Sequence, residues 1–415
     1  MKILFLSSTI YEKTLPQFTK NKNGLSLMIG DIVKNIAKTE ECYLLTYVIT
    51  PEVECNNIHV VRHLWRDVLR NIKFMNICRG VKNALSFSMP LKSRLKYIYY
   101  AVNKGYIEEV LKRIKPDIVN IHGLNYATKS FMEVCEKMKV NYVLSIHGLI
   151  GLDESVKASA QDKLLEKDIL SKSEKKNLMV TVISSGIKHR IVNRYGLNKG
   201  DNIHVILNGT NTEEKKPGHI NLFEKYNIPK NNVIMLCIGN ITKNKNQMQV
   251  VRSYHLLEDS IKKNITILFL GHEVDGGEVR NKIEELGYNK NLILCGFVDR
   301  NEMADYFLTA RINLFPSLND GFGLPIIEGF ICGIPSVAFD DIDAIQDVYS
   351  PDAMLLVKKR EDNFFAMSMV EAIEKSWDKK IIKTHGKKFA IEKTAEGYKR
   401  TFLKKMEQEY DGVEK

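Results

Sequence analysis

Residues 316–338 read PSLNDGFGLPIIEGFICGIPSVA, a strand end, a glycine-containing loop and an apolar helix in succession. Pro325 stands where a helix can begin, since proline fits the first turn. Gly321 and Gly323 would let the backbone approach a bound phosphate, and the unpaired N–H groups of a first helical turn would point at it. The stretch therefore predicts an anion-binding site at the end of a strand.

Two carboxylates border this predicted site. Asp320 lies at the entrance of the loop, and Glu328 lies about one turn into the helix. Carboxylates repel a phosphate, but they accept hydrogen bonds from neutral hydroxyls, such as those of a sugar on one side and a ribose on the other. The alternative is a solvated loop followed by a glutamate that caps the helix. Taken alone, this stretch would favour that alternative.

A second loop of the same kind lies earlier in the chain. Residues 239–247 read GNITKNKNQ, follow a predicted strand and open a predicted helix. Lys243 and Lys245 would lie at a strand carboxyl end, where an ammonium can neutralise a diphosphate leaving group. A run of surface lysines is the alternative for an isolated match.

Short apolar runs rich in Val and Ile recur along the chain, with helical stretches between them. They cover residues 2–6, 43–49, 117–121, 142–146, 179–183, 204–207, 233–238, 266–270, 292–295, 312–315 and 336–339. This alternation is typical of βαβ units and doubly wound parallel sheets. The predicted fold class is α/β.

A polar stretch without periodicity, residues 208–222, divides the chain. We predict an N-terminal domain over residues 1–207, a linker over 208–222 and a C-terminal domain over 223–390. A helix within residues 391–415 would pack back on the N-terminal domain. Two such domains would face each other across a cleft, where the strand carboxyl ends bind ligands.

The composition excludes disordered and fibrous proteins. Of the 415 residues, 44% are hydrophobic and 27% are charged, which is enough for two buried cores. Seven dispersed cysteines are typical of a reducing compartment and predict neither a disulfide framework nor a zinc site. No apolar run reaches the ~20 residues of a membrane span, and the apolar N-terminal run is too short for a signal peptide. We expect a cytoplasmic protein, soluble or peripheral on the inner face of the cell membrane.

Taken in order, the motifs resemble those of the family 4 glycosyltransferases, retaining enzymes of the GT-B fold that use nucleotide sugars. The matches are VILNGT at residues 205–210, the loop at 239–247, FLGH at 269–272, GFV at 296–298 and the stretch 316–338. The first half is more loosely similar, through SIHG at 145–148 and through residues 181–191. The resemblance implies two Rossmann-like doubly wound domains facing across a cleft.

The resemblance also implies roles for the matched residues. Glu328 would hydrogen-bond the ribose hydroxyls of the nucleotide, and Asp320 would contact hydroxyls of the donor sugar. Backbone groups around Gly323 and Leu324 would hold the diphosphate, and Lys245 would stabilise it as it leaves.

Three further residues are assigned by the same resemblance. Phe297 would border the nucleobase. In the first half, Gly24, in a loop after the first strand, would approach the diphosphate, and His147 would lie near the donor sugar. We expect no metal cofactor, because the donor is a substrate and no metal-binding pattern accompanies these residues.

Two positions depart from the family's pattern. The family more often has Glu where Asp320 stands, which leaves the donor sugar open, and it usually has Arg where Asn240 stands. Losing that charge-assisted contact, worth roughly 1.5–3 kcal/mol, weakens the grip on the leaving group unless Lys243 replaces it. We expect the acceptor hydroxyl to attack the face that the phosphate leaves. A covalent intermediate on Asp320 is the rival mechanism.

Three other polar residues receive structural interpretations. His122 follows a strand, as His147 does, and we assign it to structure or to acceptor contact. Asp341 and Asp343 have a spacing that binds metal in a different glycosyltransferase fold, but such pairs are common in loops. We interpret them as residues that bind no metal.

Most of the net charge of +11 lies in one segment. Residues 62–104 contain ten Lys and Arg against Asp67 alone, which gives +9. Read as one helix, the segment's start has an apolar face of Leu64, Trp65, Val68, Leu69, Ile72 and Met75. This face can lie on an anionic membrane or pack on the sheet, and both alternatives stay open. Nucleic acid is disfavoured because no nucleic-acid-binding motif accompanies the charge.

These observations predict a retaining hexosyltransferase. It would move a sugar from a UDP- or GDP-linked donor to a hydroxyl of a saccharide acceptor, lipid-linked, in bacterial surface polysaccharide biosynthesis. A nucleotide-sugar epimerase of the same fold and a non-catalytic two-lobed sugar-binding protein are the alternatives. If the activity requires an acceptor, the protein is a transferase rather than an epimerase. Release of the nucleotide from a donor would exclude the non-catalytic binding protein.

Overall fold

A computed structural model describes residues 1–7, 10, 24–46, 53–86, 91–149, 151, 159–172, 178–196, 202–216 and 218–413. The chain forms two compact units. The first comprises Met1–Leu207 and Ile391–Lys415, and the second comprises Asn208–Ala390.

The first unit is built on an eight-stranded sheet within its described residues. The strands are β1 (Lys2–Leu6), β2 (Glu41–Leu45), β3 (Val53–Cys55), β4 (Ile58–Val60), β5 (Ile118–His122), β6 (Tyr142–Ile146), β7 (Met179–Val182) and β8 (Ile203–Val205). They lie in the order β3-β4-β2-β1-β5-β6-β7-β8. Only β3 pairs with its neighbour in the antiparallel direction.

The helices of the first unit are α1 (Gly24–Ile36), α2 (Trp65–Arg70), α3 (Phe74–Ser86), α4 (Leu91–Ile114), α5 (Tyr126–Met138), α6 (Ala160–Ser171), α7 (Ser185–Tyr195) and α17 (Ile391–Val413). Every residue of β5 and β6 is buried. This is why both strands are mostly apolar, since helices cover both faces of such a sheet.

The C-terminal helix α17 completes the core of the first unit. Phe402 is fully buried, and its ring lies 6.4 Å from the ring of Phe5 on β1. The Tyr398 hydroxyl hydrogen-bonds the hydroxyls of Ser145 and Thr181, which also bond each other at 2.8 Å. The helix therefore contributes both apolar and polar contacts to the sheet.

The second unit is built on a six-stranded parallel sheet. Its strands are β9 (Val233–Ile238), β10 (Ile265–Leu270), β11 (Leu292–Gly296), β12 (Ile312–Phe315), β13 (Ser336–Phe339) and β14 (Met354–Val357), in the order β11-β10-β9-β12-β13-β14. Its helices are α8 (Leu222–Lys225), α9 (Gln247–His255), α10 (Asp259–Lys262), α11 (Glu278–Glu285), α12 (Met303–Thr309), α13 (Leu324–Ile331), α14 (Ile345–Val348), α15 (Asp362–Glu374) and α16 (Lys379–Gly386). A 3-10 turn, Lys387–Phe389, follows α16.

The predicted linker, residues 208–222, is part of the second unit. Thr210 N–H donates to the Phe389 carbonyl at 3.0 Å, the Asp305 carboxylate accepts from Gly218 N–H, and Leu222 is fully buried. The stretch lacks periodicity because these contacts follow no helical or strand spacing.

Several predicted boundaries shift. The strand predicted over residues 117–121 is Ile118–His122, so His122 is part of the strand. The strand predicted over residues 43–49 ends at Leu45, and residues 47–49 lie outside the described residues. Strands β3, β4 and β14 were not predicted, because strands of only three or four residues give little pattern. No described helix has the length and apolar content of a membrane span.

We predict that Phe402→Ala destabilises the first unit by about 3–5 kcal/mol, because it leaves a cavity against Phe5 and Tyr398. The matched control is Leu403→Ala on the same helix, where the side chain is 46% exposed, and its effect should stay below about 1 kcal/mol. Denaturant unfolding measures both variants. Equal losses would contradict the position assigned to this helix.

Candidate active site

Two loops of the second unit meet because of the strand order. β9 and β12 are parallel neighbours, and the chain continues from β9 to β10 on one side and from β12 to β13 on the other. The carboxyl ends of adjacent strands at such a reversal form a crevice that binds ligands. Two hydrogen bonds join the loops directly. Leu318 N–H donates to the Asn244 carbonyl at 2.8 Å, and Asn319 N–H donates to the Asn244 side-chain oxygen at 3.1 Å.

An ion pair between Lys245 and Asp320 joins the two loops. Both side chains are mostly buried, with exposed fractions of 26% and 15%. The Lys245 ammonium also lies 5.4 Å from the centroid of the Phe315 ring, on the last residue of β12. Of the two predicted site lysines, Lys245 is therefore the one held at the crevice.

The second oxygen of Asp320 holds its own loop. Asp320 Oδ1 accepts hydrogen bonds from the N–H groups of Phe322 at 3.1 Å and Gly323 at 2.8 Å. Burial by itself would raise the pKa of Asp320, but the Lys245 ammonium and these donors outweigh burial and lower it. Asp320 is thus a carboxylate at neutral pH.

The helix α13 begins directly after this loop. Gly323 precedes it with φ +77°, a left-handed conformation that favours glycine. The helix starts at Leu324, so Pro325 is its second residue, where the missing N–H leaves no unpaired donor. Glu328 is half-buried one turn after Leu324 and lies on the same side of the helix. The Gly323 N–H, predicted to face a diphosphate, is engaged by Asp320.

Two glycines allow the lysine loop to pack closely. Gly271, after β10, has φ +148°, and a Cβ atom there would lie 2.3 Å from the Gly239 carbonyl oxygen. Gly239 has φ +134°, and the stem of Lys245 lies over it. Only glycine fits at position 271, which explains the glycine of the FLGH motif.

Asn240 and Phe297 lie next to a histidine that we did not assign to the site. The Asn240 side-chain oxygen accepts a hydrogen bond from His272 N–H at 3.1 Å. The His272 and Phe297 rings stack with centroids 5.1 Å apart and an angle of 11° between the planes, and Phe297 is 46% exposed. This exposed stack is a flat aromatic surface of the kind that contacts a planar ring. His272 is part of the FLGH motif, which is the sequence signal that could have identified it as a site residue.

Lys243 does not join the Lys245–Asp320 pair. Its ammonium lies 3.8 Å from Glu278, and its side chain is 75% exposed. Lys243 therefore lies outside the pair that joins the two loops.

Arg360 is a further loop contact that sequence reasoning missed. It binds both oxygens of Asp341, at 2.7 and 2.6 Å, and donates to the carbonyls of Ser317 and Leu318. The loop after β12 is thereby tied to the loop after β14. Arg360 lies in no recognised motif, so no sequence signal identified it.

In the first unit, His122 and His147 form a pair. His122 Nδ1 lies 2.8 Å from His147 Nε2, since the two residues end or follow the adjacent strands β5 and β6. Burial lowers the pKa of His147 to about 4, and burial together with His147 lowers the pKa of His122 well below its usual value. Both rings are uncharged at pH 7. His122 Nε2 is buried and has no hydrogen-bond partner among the described residues.

Gly24 is the first residue of α1 rather than a loop residue. It is exposed, and a Cβ atom built on it would meet no atom of the described residues within 4 Å. The site residues therefore divide into two sets. Lys245, Asp320, Gly323, Leu324, Glu328, Asn240 and Phe297 lie in the second unit, whereas Gly24 and His147 lie in the first.

We predict that Lys245 and Asp320 are energetically coupled. A double-mutant cycle with Lys245→Ala and Asp320→Asn, measured by unfolding, should give about 1–3 kcal/mol of interaction. The matched control is the exposed pair Lys243 and Glu278, which should give no measurable coupling.

The pH dependence follows from the lowered pKa of Asp320. Its paired carboxylate stabilises the fold above its unfolded pKa, and this contribution is lost as the pH falls through the lower folded pKa. Lys245→Ala leaves a buried, unpaired carboxylate whose pKa rises. The destabilisation should therefore shrink as the pH falls from 7 towards about 4. A pH-independent loss would contradict the ion pair.

The two units match two family profiles. Residues 219–389 match the family described as Glycosyl transferases group 1, and residues 57–214 match the family described as Glycosyltransferase Family 4. Together the matches cover most of the chain.

Curated relatives agree with this. The O-antigen chain mannosyltransferase B of Escherichia coli is 25% identical over 144 residues, which is 34% of this chain and 37% of that protein. The capsular polysaccharide biosynthesis glycosyltransferase CapM of Staphylococcus aureus is 24% identical over 219 residues, 50% of this chain and 56% of CapM. The chain thus spans little more than half, or less, of these two relatives. An uncharacterized glycosyltransferase of Methanocaldococcus jannaschii is 24% identical over 392 residues, 91% of this chain and 94% of that protein.

Solved structures share the fold. A glycosyltransferase from Rickettsia africae has a TM-score of 0.68 at 14% identity, covering 98% of both chains. An E. coli trehalose-6-phosphate protein bound with UDP-2-fluoro glucose has a TM-score of 0.69 at 14% identity, covering 97% of this chain and 99% of that one. The predicted α/β class with two Rossmann-like domains is confirmed. With both halves matched by family profiles and this fold, the chain belongs to the family 4 glycosyltransferases of the GT-B fold.

Proposed function

We propose that this protein transfers a hexosyl group, with retention, from a UDP- or GDP-linked sugar to a hydroxyl of a saccharide acceptor. The observation that carries the proposal is the Lys245–Asp320 pair at the end of β9 and β12. It puts a cation and a carboxylate side by side. A nucleotide-sugar donor requires both, because the cation can bind its anionic diphosphate and the carboxylate can accept hydrogen bonds from its neutral sugar.

The donor half of the proposal assigns each side chain by charge. The Lys245 ammonium has three N–H donors, so it can hold Asp320 and a diphosphate oxygen together. Glu328 would accept from the ribose hydroxyls, and the His272–Phe297 stack would border the base. Leu324, at the start of α13, would offer its N–H and the positive end of the helix dipole to the diphosphate.

For the transfer we propose attack on the face from which the diphosphate leaves. The bond from the sugar's anomeric carbon to the phosphate oxygen breaks, a bond to the acceptor oxygen forms, and the acceptor's proton passes to the departing phosphate. Asp320 is a weak candidate nucleophile, because the Lys245 cation and two backbone N–H groups already stabilise its carboxylate. A glycosyl adduct trapped on Asp320 would overturn this mechanism.

The lowered pKa of His147 indicates the charge state in which the ring would act. A ring with a pKa of about 4 is uncharged at pH 7, so it would contact the donor sugar as a neutral hydrogen-bonding group. His122, bonded to its Nε2, would fix the ring orientation and tautomer. Neither ring would supply positive charge to the diphosphate.

The proposed acceptor is a lipid-linked saccharide of bacterial surface polysaccharide biosynthesis. Two relatives, named for the O-antigen chain and for capsular polysaccharide, support this class of product. We propose the inner face of the cell membrane as the place of reaction, with an anionic membrane contacted through residues 62–104. The proposal includes no metal, because Lys245 supplies the charge at the leaving group, and activity should survive chelators.

We predict that Lys245→Ala lowers turnover by about a hundredfold or more, because the leaving diphosphate loses its cation. Lys243→Ala is the matched control and should cost less than about fivefold, since Lys243 is exposed and paired with Glu278. The assay follows nucleotide release with and without a saccharide acceptor, and NMR of the product reports its anomeric configuration. Similar small losses in both variants would defeat the assignment of Lys245. Nucleotide-sugar conversion without an acceptor would favour an epimerase.

We also predict that UDP or GDP raises the thermal unfolding temperature of the protein, since a ligand bound only by the native state stabilises it. Glu328→Gln should weaken this nucleotide binding at least tenfold, because it removes charge-assisted hydrogen bonds to the ribose. Glu371→Gln, an exposed change on α15, is the control and should leave the shift intact. An unchanged shift for Glu328→Gln would contradict the ribose contact.

A further inference from the structure

The helix α3 turns its small residues inward. Asn76, Gly80 and Ala84 are spaced four residues apart and are buried, with exposed fractions of 8% and 2% for the asparagine and the alanine. A Cβ atom on Gly80 would lie 2.5 Å from the Ala101 side chain of α4. The two helices therefore pack closely through residues that offer little apolar area.

Three large apolar residues of α3 lie on the opposite side. Phe74 is 76% exposed, Val81 37% and Leu85 69%, and Cys78 between them is exposed. The spacing of four, three and four residues places them in one stripe along the helix. We call these four residues the outer stripe. It is the reverse of an ordinary core-facing helix, which buries its largest apolar residues.

The exposed apolar surface continues beyond α3. In the preceding residues Trp65, Leu69 and Ile72 are 49%, 59% and 36% exposed, and at the start of α4 Leu91 and Leu95 are 72% and 58% exposed. Of the face predicted from the sequence, Val68 is buried, and α2 ends at Arg70, so no single helix carries it. The alternative in which this whole face packs on the sheet is therefore wrong.

The two helices run antiparallel, which gathers this surface. A Cβ atom on Gly105 would meet the carbonyl of Asn71, just before α3, while Gly80 lies against Ala101. The start of α4 is therefore at the same end of the helix pair as Leu85. Its two exposed leucines extend the outer stripe.

Part of the segment's charge is used inside the protein. Arg62 binds Asp67 at 2.9 Å, and two lysines of the segment bind carboxylates outside it, Lys73 to Glu108 and Lys104 to Glu133. These three cations do not contribute much to an external field.

Other cations flank the apolar surface. Arg66, Arg70, Arg79 and Lys82 are exposed, and Arg66 lies 3.9 Å from the Asp67 carboxylate. Arg79 and Lys82 lie beside the outer stripe on α3, one-quarter to one-third of a turn around the helix. Asp67, the single acidic residue between positions 62 and 104, is buried and paired. The surface therefore combines large apolar side chains with cations and no exposed acid among its described residues.

We propose that this surface docks on an anionic lipid bilayer. The outer stripe enters the boundary between headgroups and acyl chains, and Arg70 and Arg79 pair with lipid phosphates. A second copy of the chain is a poorer occupant, since it would bring the same cations face to face. The inference deepens the proposed function. Only its link to a lipid-linked acceptor rests on that function, because docking on a bilayer needs no nucleotide-sugar donor.

The test is co-sedimentation of the full chain with vesicles, without nucleotide sugar. We expect binding to phosphatidylglycerol–phosphatidylcholine vesicles, weakened by salt, and little binding to pure phosphatidylcholine. Phe74→Ser with Leu85→Ser should lower the partition coefficient at least about tenfold, because two side chains lose their burial in the acyl region. Val274→Ser with Met367→Ser, exposed by 63% and 67% in the second unit, is the matched control and should change nothing.

The electrostatic part has its own pair of variants. Arg70→Glu with Arg79→Glu should also lower binding about tenfold or more. Lys263→Glu with Lys290→Glu, exposed in the second unit, makes the same change in net charge and should leave binding intact. Circular dichroism of each variant shows that it is folded.

Three outcomes would overturn the docking surface. They are no binding to anionic vesicles at low salt, equal losses in the site and control variants, and a dimer in sedimentation that Phe74→Ser with Leu85→Ser dissociates. Nucleotide release with a water-soluble acceptor, assayed without vesicles, should be unchanged in that double variant. Vesicle binding without any transferase activity would defeat the proposed function and leave the docking surface standing.

Discussion

The second unit depends on the reversal of strand order between β9 and β12. This reversal brings together two loops whose site residues are 75 positions apart, so that Lys245 can pair with Asp320. Each partner stabilises the other, because either charge would be costly if buried alone. The close approach of the Gly239 and Gly271 backbones and the start of α13 at Leu324 arrange the same crevice. A local change in strand order would remove the site without altering any of its residues.

Asp320 connects the local structure of the loop with the electrostatics of the site. One oxygen holds Lys245, and the other accepts from the backbone before α13, so the carboxylate orders the loop and supplies charge at once. Arg360 likewise has two roles, since it neutralises Asp341 and donates hydrogen bonds to the Ser317 and Leu318 carbonyls. Charged residues here act through defined partners over short distances. The net charge of the chain says little about this crevice.

The basic segment illustrates why counting charges is insufficient. Residues 62–104 contain ten cations, but Lys73 is paired with Glu108 and Lys104 with Glu133, both outside the segment. The apolar face predicted for one helix is divided, since Val68 is buried and α2 ends at Arg70. Only packing shows that α3 faces α4 with Gly80 and leaves its large side chains outside. An amphipathic pattern predicts two faces and does not say which one the protein covers.

The sequence by itself determined most strands and the site loops, because parallel strands buried on both faces are rich in apolar residues such as Val and Ile, and phosphate-type loops need glycine. It also determined the family through ordered motifs. The tertiary structure decided what depends on distant partners: the His122–His147 pair, the Asp305 contact that joins residues 208–222 to the second unit, and Arg360. The reason is physical, since periodicity reports local burial, whereas ion pairs and ring contacts form between residues that the sheet order brings together.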